Sequence, residues 1–257
     1  MIHFQLVKKI GFLLVGLLMF FPLTAQIHAN EKLVYSGSYF LSGMMTNVAQ
    51  ITMSTEMLKT SKKSYLHLSV EAATFQKWDS YFKIRDLYES YVDPQSLKPS
   101  LYQRNVYEGG YTKTEKYTFL PDGKTVKSVT RRKNGPVKTN SVSINPKTID
   151  VVTLIYKLRT INFSTVRPGQ FIAFQTIFDE KEYPVWIKFI GKETISTSTL
   201  GKQACFKLSI SSKTNKLKGT DKNLIWITAD SKKIPCLIEF SIPVGTGRVS
   251  LINVSGI

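Results

Sequence analysis

The sequence predicts an all-β, mainly antiparallel fold: a strongly curved sheet or open barrel of about a dozen strands, with one short helix packed against it. Three observations predict it. Apolar and polar residues alternate with a period of two almost everywhere from Leu33 onward, the spacing of a half-buried strand. Clusters of Gly, Pro, Asn and Asp cut this alternation into hairpin-sized pieces. A single window carries helical spacing instead. A sheet of that many strands curls, splits or closes. One helix can cover only one side of it, so the sheet is expected to clasp the helix.

The elements follow in order. Leu33, Tyr35, Gly37, Tyr39 and Leu41 share one face of a first strand, and a turn at Ser42-Gly43 leads to a second at Val48 to Met53. Leu66, Leu68, Val70 and Ala72 share a face of a third. Tyr81 to Val92 reads as one long, aromatic, extended stretch. Leu97 to Tyr107 and Tyr111 to Leu120 form hairpin arms around Gly109-Gly110. Pro121-Asp122-Gly123 is a turn signal, Lys124 to Arg132 returns from it, and Asn134-Gly135-Pro136 closes that arm. In Thr148 to Arg159 the apolar residues Ile149, Val152, Ile155, Tyr156 and Leu158 recur at three and four, which is a helix. Asn145 or Thr148 would cap it, and Lys157 and Arg159 suit its C-terminal dipole.

Strands then resume at Phe171 to Phe178, with an acidic turn at Asp179-Glu180, and at Pro184 to Ile195. Leu200-Gly201 turns into Gln203 to Ser211, and a lysine-bearing loop runs from Ser212 to Asn223. Leu224 to Thr228, Ile234 to Ile242 and Arg248 to Val254 complete the set, with Gly245-Thr246-Gly247 read as a turn. No Pro/Gly/Ser linker divides the chain, so one β-rich domain is expected over residues 30–257.

Residues 1–29 read as a cleavable secretory signal. Lys8 and Lys9 precede an apolar run from Ile10 to Phe21, and small residues end in Ala25 or Ala29, either of which can mark the cleavage site. The run has twelve residues, where a membrane span needs roughly 20. The chain is therefore expected outside the cytoplasm, periplasmic or envelope-associated, and not as an integral membrane protein. Its net charge of +17 falls to +15 without Lys8 and Lys9. In that compartment the acidic partners are lipid, acidic glycan or another envelope protein, and not nucleic acid. Export permits a disulfide, but simple alternation turns Cys205 and Cys236 to opposite sides of their strands unless a bulge intervenes.

Catalytic chemistry is sparse. Outside the leader the only histidine is His67, on the polar face of its strand, with no G-x-S-x-G elbow to accompany it. Two cysteines and one histidine do not make a zinc site, and no cofactor is expected. Asp86, Glu89 and Asp93 cluster, but Asp93-Pro94 is a turn initiator. Two groups remain as candidate binding residues. Tyr81, Phe82, Tyr88, Tyr91, Tyr102 and Tyr107 could line a concave sheet and hold an acyl chain or stack on sugars. Lys124, Lys127, Arg131, Arg132, Lys133 and Lys138 form a basic stretch without an acid, expected at one end of a hairpin.

Four motifs occur in order: Asp86-Leu87-Tyr88-Glu89-Ser90-Tyr91-Val92-Asp93 with Leu97 and Pro99; Leu158-Arg159; Gly191-Lys192-Glu193 with Leu200-Gly201; and Trp226-Ile227-Thr228-Ala229-Asp230 with Ile234-Pro235. Together they resemble domain-of-unknown-function family 3108, exported bacterial envelope proteins. The resemblance implies a β-rich exported domain and brings no catalytic residue. The motif residues also read structurally: Gly191, Gly201 and Ala229 to Lys233 as turns, Trp226 as core, Pro235 as an edge-strand residue. The expected function is thus a non-catalytic envelope protein binding an amphiphile or glycan on the concave face of its sheet. The alternatives are a structural or protein-interaction module and, behind it, a hydrolase of envelope polymer.

Overall fold

The structure, a computed structural model, describes residues 27–41, 43–212, 223–242 and 245–257. Most of the expected leader, Ser42 and most of the lysine loop lie outside these residues. The strands are β1 (Lys32–Leu41), β2 (Met44–Lys59), β3 (Ser64–Thr74), β4 (Arg85–Val92), β5 (Pro99–Glu108), β6 (Tyr111–Phe119), β7 (Thr125–Arg132) and β8 (Lys138–Ser143). They continue as β9 (Thr148–Ile149), β10 (Phe171–Phe178), β11 (Lys181–Thr197), β12 (Gly201–Ser212), β13 (Leu224–Thr228), β14 (Pro235–Ile242) and β15 (Gly245–Ser255). Two α-helices interrupt them among the described residues, α1 (Asp79–Phe82) and α2 (Val151–Arg159), each flanked by a single 3-10 turn, at Gln76–Trp78 and Phe163–Thr165.

All fifteen strands form one open sheet with β1 and β15 paired at its centre. From there β1 to β8 run to one edge and β15 back to β9 run to the other. Every neighbouring pair is antiparallel except β9 with β10, so the expected all-β class is the observed one. The strand connections fall at two ends. One end, the α1 end, carries the β1–β2, β5–β6, β7–β8, β10–β11 and β14–β15 turns, the β3–α1–β4 crossing, and the strand termini Ser212 and Leu224. Bulges at Gly37/Ser38, Tyr91/Val92, Phe189/Gly191 and Trp226/Ile227 bend the strands.

Side chains hold the curl closed. The Asp179-Glu180 turn between β10 and β11 reaches across to β5, β6 and β7. The Asp179 carboxylate is bonded by Arg104 and Lys113, which Glu115 also pairs at 2.7 and 2.9 Å. The Glu180 N–H donates to the Tyr117 hydroxyl at 2.8 Å, and its carboxylate accepts from Ser128 at 2.6 Å and Asn140 at 3.0 Å. Both turn residues have positive φ, 49° and 60°. This backbone strain is held by the contacts around it.

Helix α2 packs inside the concavity. Val152 and Tyr156 pack into one core cluster with Leu33, Tyr35, Leu68, Val92 and Tyr102 from the β1–β5 side. Leu154 and Leu158 pack into a second with Val185, Ile187, Phe189, Phe206, Leu208 and Ile227. The cap is Asp150, whose carboxylate accepts from the Thr153 N–H at 2.8 Å, and not Asn145 or Thr148, because Thr148 is drawn into β9. Asp150 is fully buried, which pushes its carboxyl up, against hydrogen bonds from Thr153 and from Ser90 at 2.7 Å.

Other expectations change in detail. Tyr81 and Phe82 lie in α1, not in the strand, which starts at Arg85. Gly245 to Gly247 belong to β15, where Gly247 passes the Phe240 ring so closely that a Cβ would stand 2.2 Å from it. Gly191 lies inside β11 at a bulge and not in a turn. Pro235 sits inside the sheet at a bulge rather than at an edge. That bulge sets Ile227 opposite Pro235 and Trp226 opposite Leu237, so Cys236 escapes simple alternation. Its buried thiol is not in a disulfide and donates to the Ile234 carbonyl at 3.4 Å. Hydrogen bonding to Cys205 and burial push the Cys236 thiol up.

Candidate functional site

The face of β10 to β14 that packs on α2 repeats its apolar alternation along its whole length, but α2 covers it only in part. Towards the far end, Phe163, Phe189, Phe206 and Ile227 fill the space. Towards the α1 end the same rows continue with Thr176 opposite Tyr183, Val185 opposite Ser212, and Ile225 opposite Ile238. Among the described residues, α2 packs on these rows only through Leu154 and its neighbours. The result is a cavity of about 710 Å³ between these strands and the Val151, Leu154 and Ile155 stripe of α2. That size falls in the range of small-molecule sites.

Its walls are mainly aliphatic, with Phe178, Tyr183 and Phe240 as the aromatic members. Four of the polar residues are already engaged. Thr176 donates to the Tyr183 carbonyl at 3.2 Å, and Ser212 donates to the Pro184 carbonyl at 2.9 Å. Glu239 accepts from Arg248 Nε at 3.0 Å. Burial works against the Asp179 charge, but Lys113 and Arg104 outweigh it and hold the carboxyl below the ordinary carboxylate range. The wall therefore presents hydrocarbon with no unpaired carboxylate, which favours an apolar chain over a sugar or an ion.

The six candidate aromatics do not gather here. Tyr102 is fully buried, its ring 5.4 Å from that of Tyr117, and burial drives its hydroxyl well up. Tyr88 is half-buried and pushed up to about 12 by that burial. Tyr91 stacks on His67 at 4.5 Å, and His67 Nε2 meets Glu89 at 2.9 Å on the outer side of β3 and β4. Tyr81, Phe82 and Tyr107 are exposed at the α1 end. The six basic residues are all exposed. Arg131, Arg132, Lys133 and Lys138 flank the β7–β8 turn at the α1 end, while Lys124 and Lys127 lie towards the other end of β7. Among the described residues no three His, Cys, Asp or Glu converge to hold a metal, and no helix is long and apolar enough to cross a membrane.

A curved open sheet clasping one helix, with an apolar cavity between them among the described residues, defines a β-barrel-like protein. The chain belongs to the family of proteins of unknown function DUF3108, whose model matches residues 34–252. It is similar in fold to a β-barrel-like protein of domain of unknown function DUF1849 from Brucella abortus. That likeness has a TM-score of 0.56 at 9% identity, covering 91% of this chain and 100% of the other. A putative exported protein with a YmcC-like fold from Bacteroides fragilis matches at a TM-score of 0.33 and 8% identity, over 90% of this chain and 98% of that one. A putative lipoprotein from Parabacteroides distasonis matches at 0.33 and 11%, over 91% and 98%. Comparison with curated proteins finds no match.

Proposed function

We propose that this is an exported, non-catalytic protein of the cell envelope that holds the apolar chain of an amphiphile between α2 and strands β10 to β14. The observation that carries the reading is the cavity of about 710 Å³ with its mainly aliphatic wall. Burying an alkyl chain there removes apolar area from water on both partners, worth ~25 cal/mol per Å². The engaged state of Asp179 and Glu239 argues against paired-carboxylate hydrolysis.

Export rests on the leader, and the fold's N-terminus favours one of its two cleavage sites. Ile27 packs against the first core cluster, the Thr55 hydroxyl donates to the His28 carbonyl at 2.5 Å, and Asn30 N–H donates to the Thr55 carbonyl at 2.8 Å. Cleavage after Ala29 would remove the first two of these contacts. We therefore place it after Ala25, so that N-terminal sequencing of the processed protein should begin at Gln26.

The test is native mass spectrometry of protein purified from its own envelope, followed by lipid extraction. A bound amphiphile should appear in the wild type and be lost or weakened in Ile238→Trp, whose indole projects into the cavity and obstructs it. Protein that carries no apolar ligand and takes up no fluorescent fatty acid overturns the proposal.

A further inference from the structure

We infer that the α1 end of the sheet is a docking face for an anionic lipid bilayer, with exposed aromatic and methionine side chains set into the membrane interface. The occupant deepens the amphiphile reading, since the cavity is lined by strand termini of this same end. The docking itself stands on separate residues.

Topology collects them. Trp78 donates its indole N–H to the Asn47 carbonyl at 3.0 Å, tying α1 to the start of β2. Gly109 N–H donates to the Lys83 carbonyl at 2.9 Å, tying α1 to the β5–β6 turn. Lys133 N–H donates to the Thr112 carbonyl at 2.8 Å, tying that hairpin to the β7–β8 turn. These turns therefore form one continuous rim.

The rim is apolar where a water-facing surface is normally polar. Of the eleven large apolar side chains most exposed among the described residues, seven are here. They include Tyr81 at 80%, Met44 at 69%, Phe82 at 53% and Phe40 at 50%. Cations stand among them. Lys77 lies 5.9 Å from the Trp78 ring and Lys83 5.7 Å from the Tyr107 ring. Arg131, Arg132, Lys133 and Lys138 are exposed beside Val137, itself 61% exposed. Four carboxylates of this end are engaged: Asp79 by Arg85 at 2.6 Å, Glu239 by Arg248, Asp179 by Arg104 and Lys113, and Glu180 by Ser128 and Asn140. Glu108 faces Asp86.

Charge chooses the occupant. A rim on which exposed cations outnumber unpaired carboxylates among the described residues repels a second copy of itself. Aromatic rings interleaved with Lys and Arg match the interfacial zone of a membrane, where rings sit at headgroup depth and cations meet lipid phosphate.

Co-sedimentation of the purified, processed protein with vesicles tests this. Wild type should bind vesicles containing phosphatidylglycerol, release in high salt, and bind pure phosphatidylcholine weakly. Replacing Arg131, Arg132 and Lys133 together by Gln should weaken binding about a hundredfold, at roughly fivefold for each cation near an anionic surface. The pair Tyr81→Ser with Phe82→Ser should weaken it about tenfold. All five side chains are exposed, so unchanged near-UV circular dichroism shows that the fold is kept. Ile238→Trp should still bind vesicles. Failure of the wild type to bind phosphatidylglycerol vesicles, or binding by both rim variants equal to wild type, overturns the inference. If an acidic glycan is bound while vesicles are ignored, the docking inference falls and the cavity reading survives.

Discussion

Arg159 and Glu31 meet across 128 residues of sequence in a two-pronged ion pair, Nη1 to Oε1 at 2.5 Å and Nη2 to Oε2 at 2.7 Å, with neither side chain reaching water. The last residue of α2 is thereby fastened to the residue that precedes β1. Arg159 also donates to the Lys232 carbonyl, at 3.3 and 3.1 Å, which adds the β13–β14 turn to the joint. Burial opposes the guanidinium charge, but Glu31 outweighs it.

Removing one partner leaves the other charged and dry. Glu31→Gln or Arg159→Met should each cost about 3–5 kcal/mol of stability. Glu31→Leu combined with Arg159→Met should cost much less than the sum. Urea unfolding of the four proteins checks the coupling.

The Asp179 carboxylate joins the β10–β11 turn to β5 and β6. Asp179→Ala should cost about 1–3 kcal/mol, softened because Glu115 still pairs both cations. The Asp179 carboxyl lies below its ordinary range. Its contribution is therefore complete above that range and is lost as the pH falls through the folded value. Acid unfolding midpoints of wild type and variant should converge at low pH.

Asp86 has the opposite sign. Burial, then the neighbouring Glu108, pushes it up to about 6, although the Tyr107 N–H donates to it at 3.0 Å. The folded state holds this proton more tightly than the unfolded chain. Stability from it is present at pH below about 4 and is lost as the pH rises to about 6. Asp86→Asn should flatten that decline in thermal unfolding at a series of pH values.

Gly109 lies at φ +54°, and a Cβ there would stand 2.4 Å from the Phe82 ring. Gly110, at φ +86°, has open space around it. Gly109→Ala should therefore cost about 1–2 kcal/mol and loosen α1, whereas Gly110→Ala should cost only the backbone strain of about 1 kcal/mol. Differential scanning calorimetry of both, with hydrogen exchange over residues 76–84, separates the two effects.

Much of the architecture was legible in residue patterns, because alternation and turn chemistry are local. Phe171–Phe178 was readable to the residue from its apolar run and the acidic turn after it. Asp230 caps the turn after β13 as its type suggests, accepting from Lys232 and Lys233 N–H at 3.0 Å. Strand β8 was not legible, since KTNSVS is an edge strand with little to bury. The Asp150 cap was hidden because both Asn145 and Thr148 are equally good cap types by identity.

The cavity left no mark in the sequence. Val185, Ile210, Ile225 and Ile238 alternate as Ile187, Leu208 and Ile227 do. Whether such a row is filled depends on how far a nine-residue helix reaches, which is a long-range property. The exposed aromatics were visible as residues but were read as wall, because exposure at a rim and burial in a concave face share the same residue types.

Pairing β1 with β15 fixes the order in which this molecule can be finished. The first strand made presents an open row of amide and carbonyl groups until the last strand arrives, more than 200 residues later. A chain interrupted before Gly245 would leave β1 and β14 as raw edges facing one another across a gap one strand wide. Quality control of such a polypeptide reduces to a single question: whether the eleven residues of β15, Gly245–Ser255, are there to be bound.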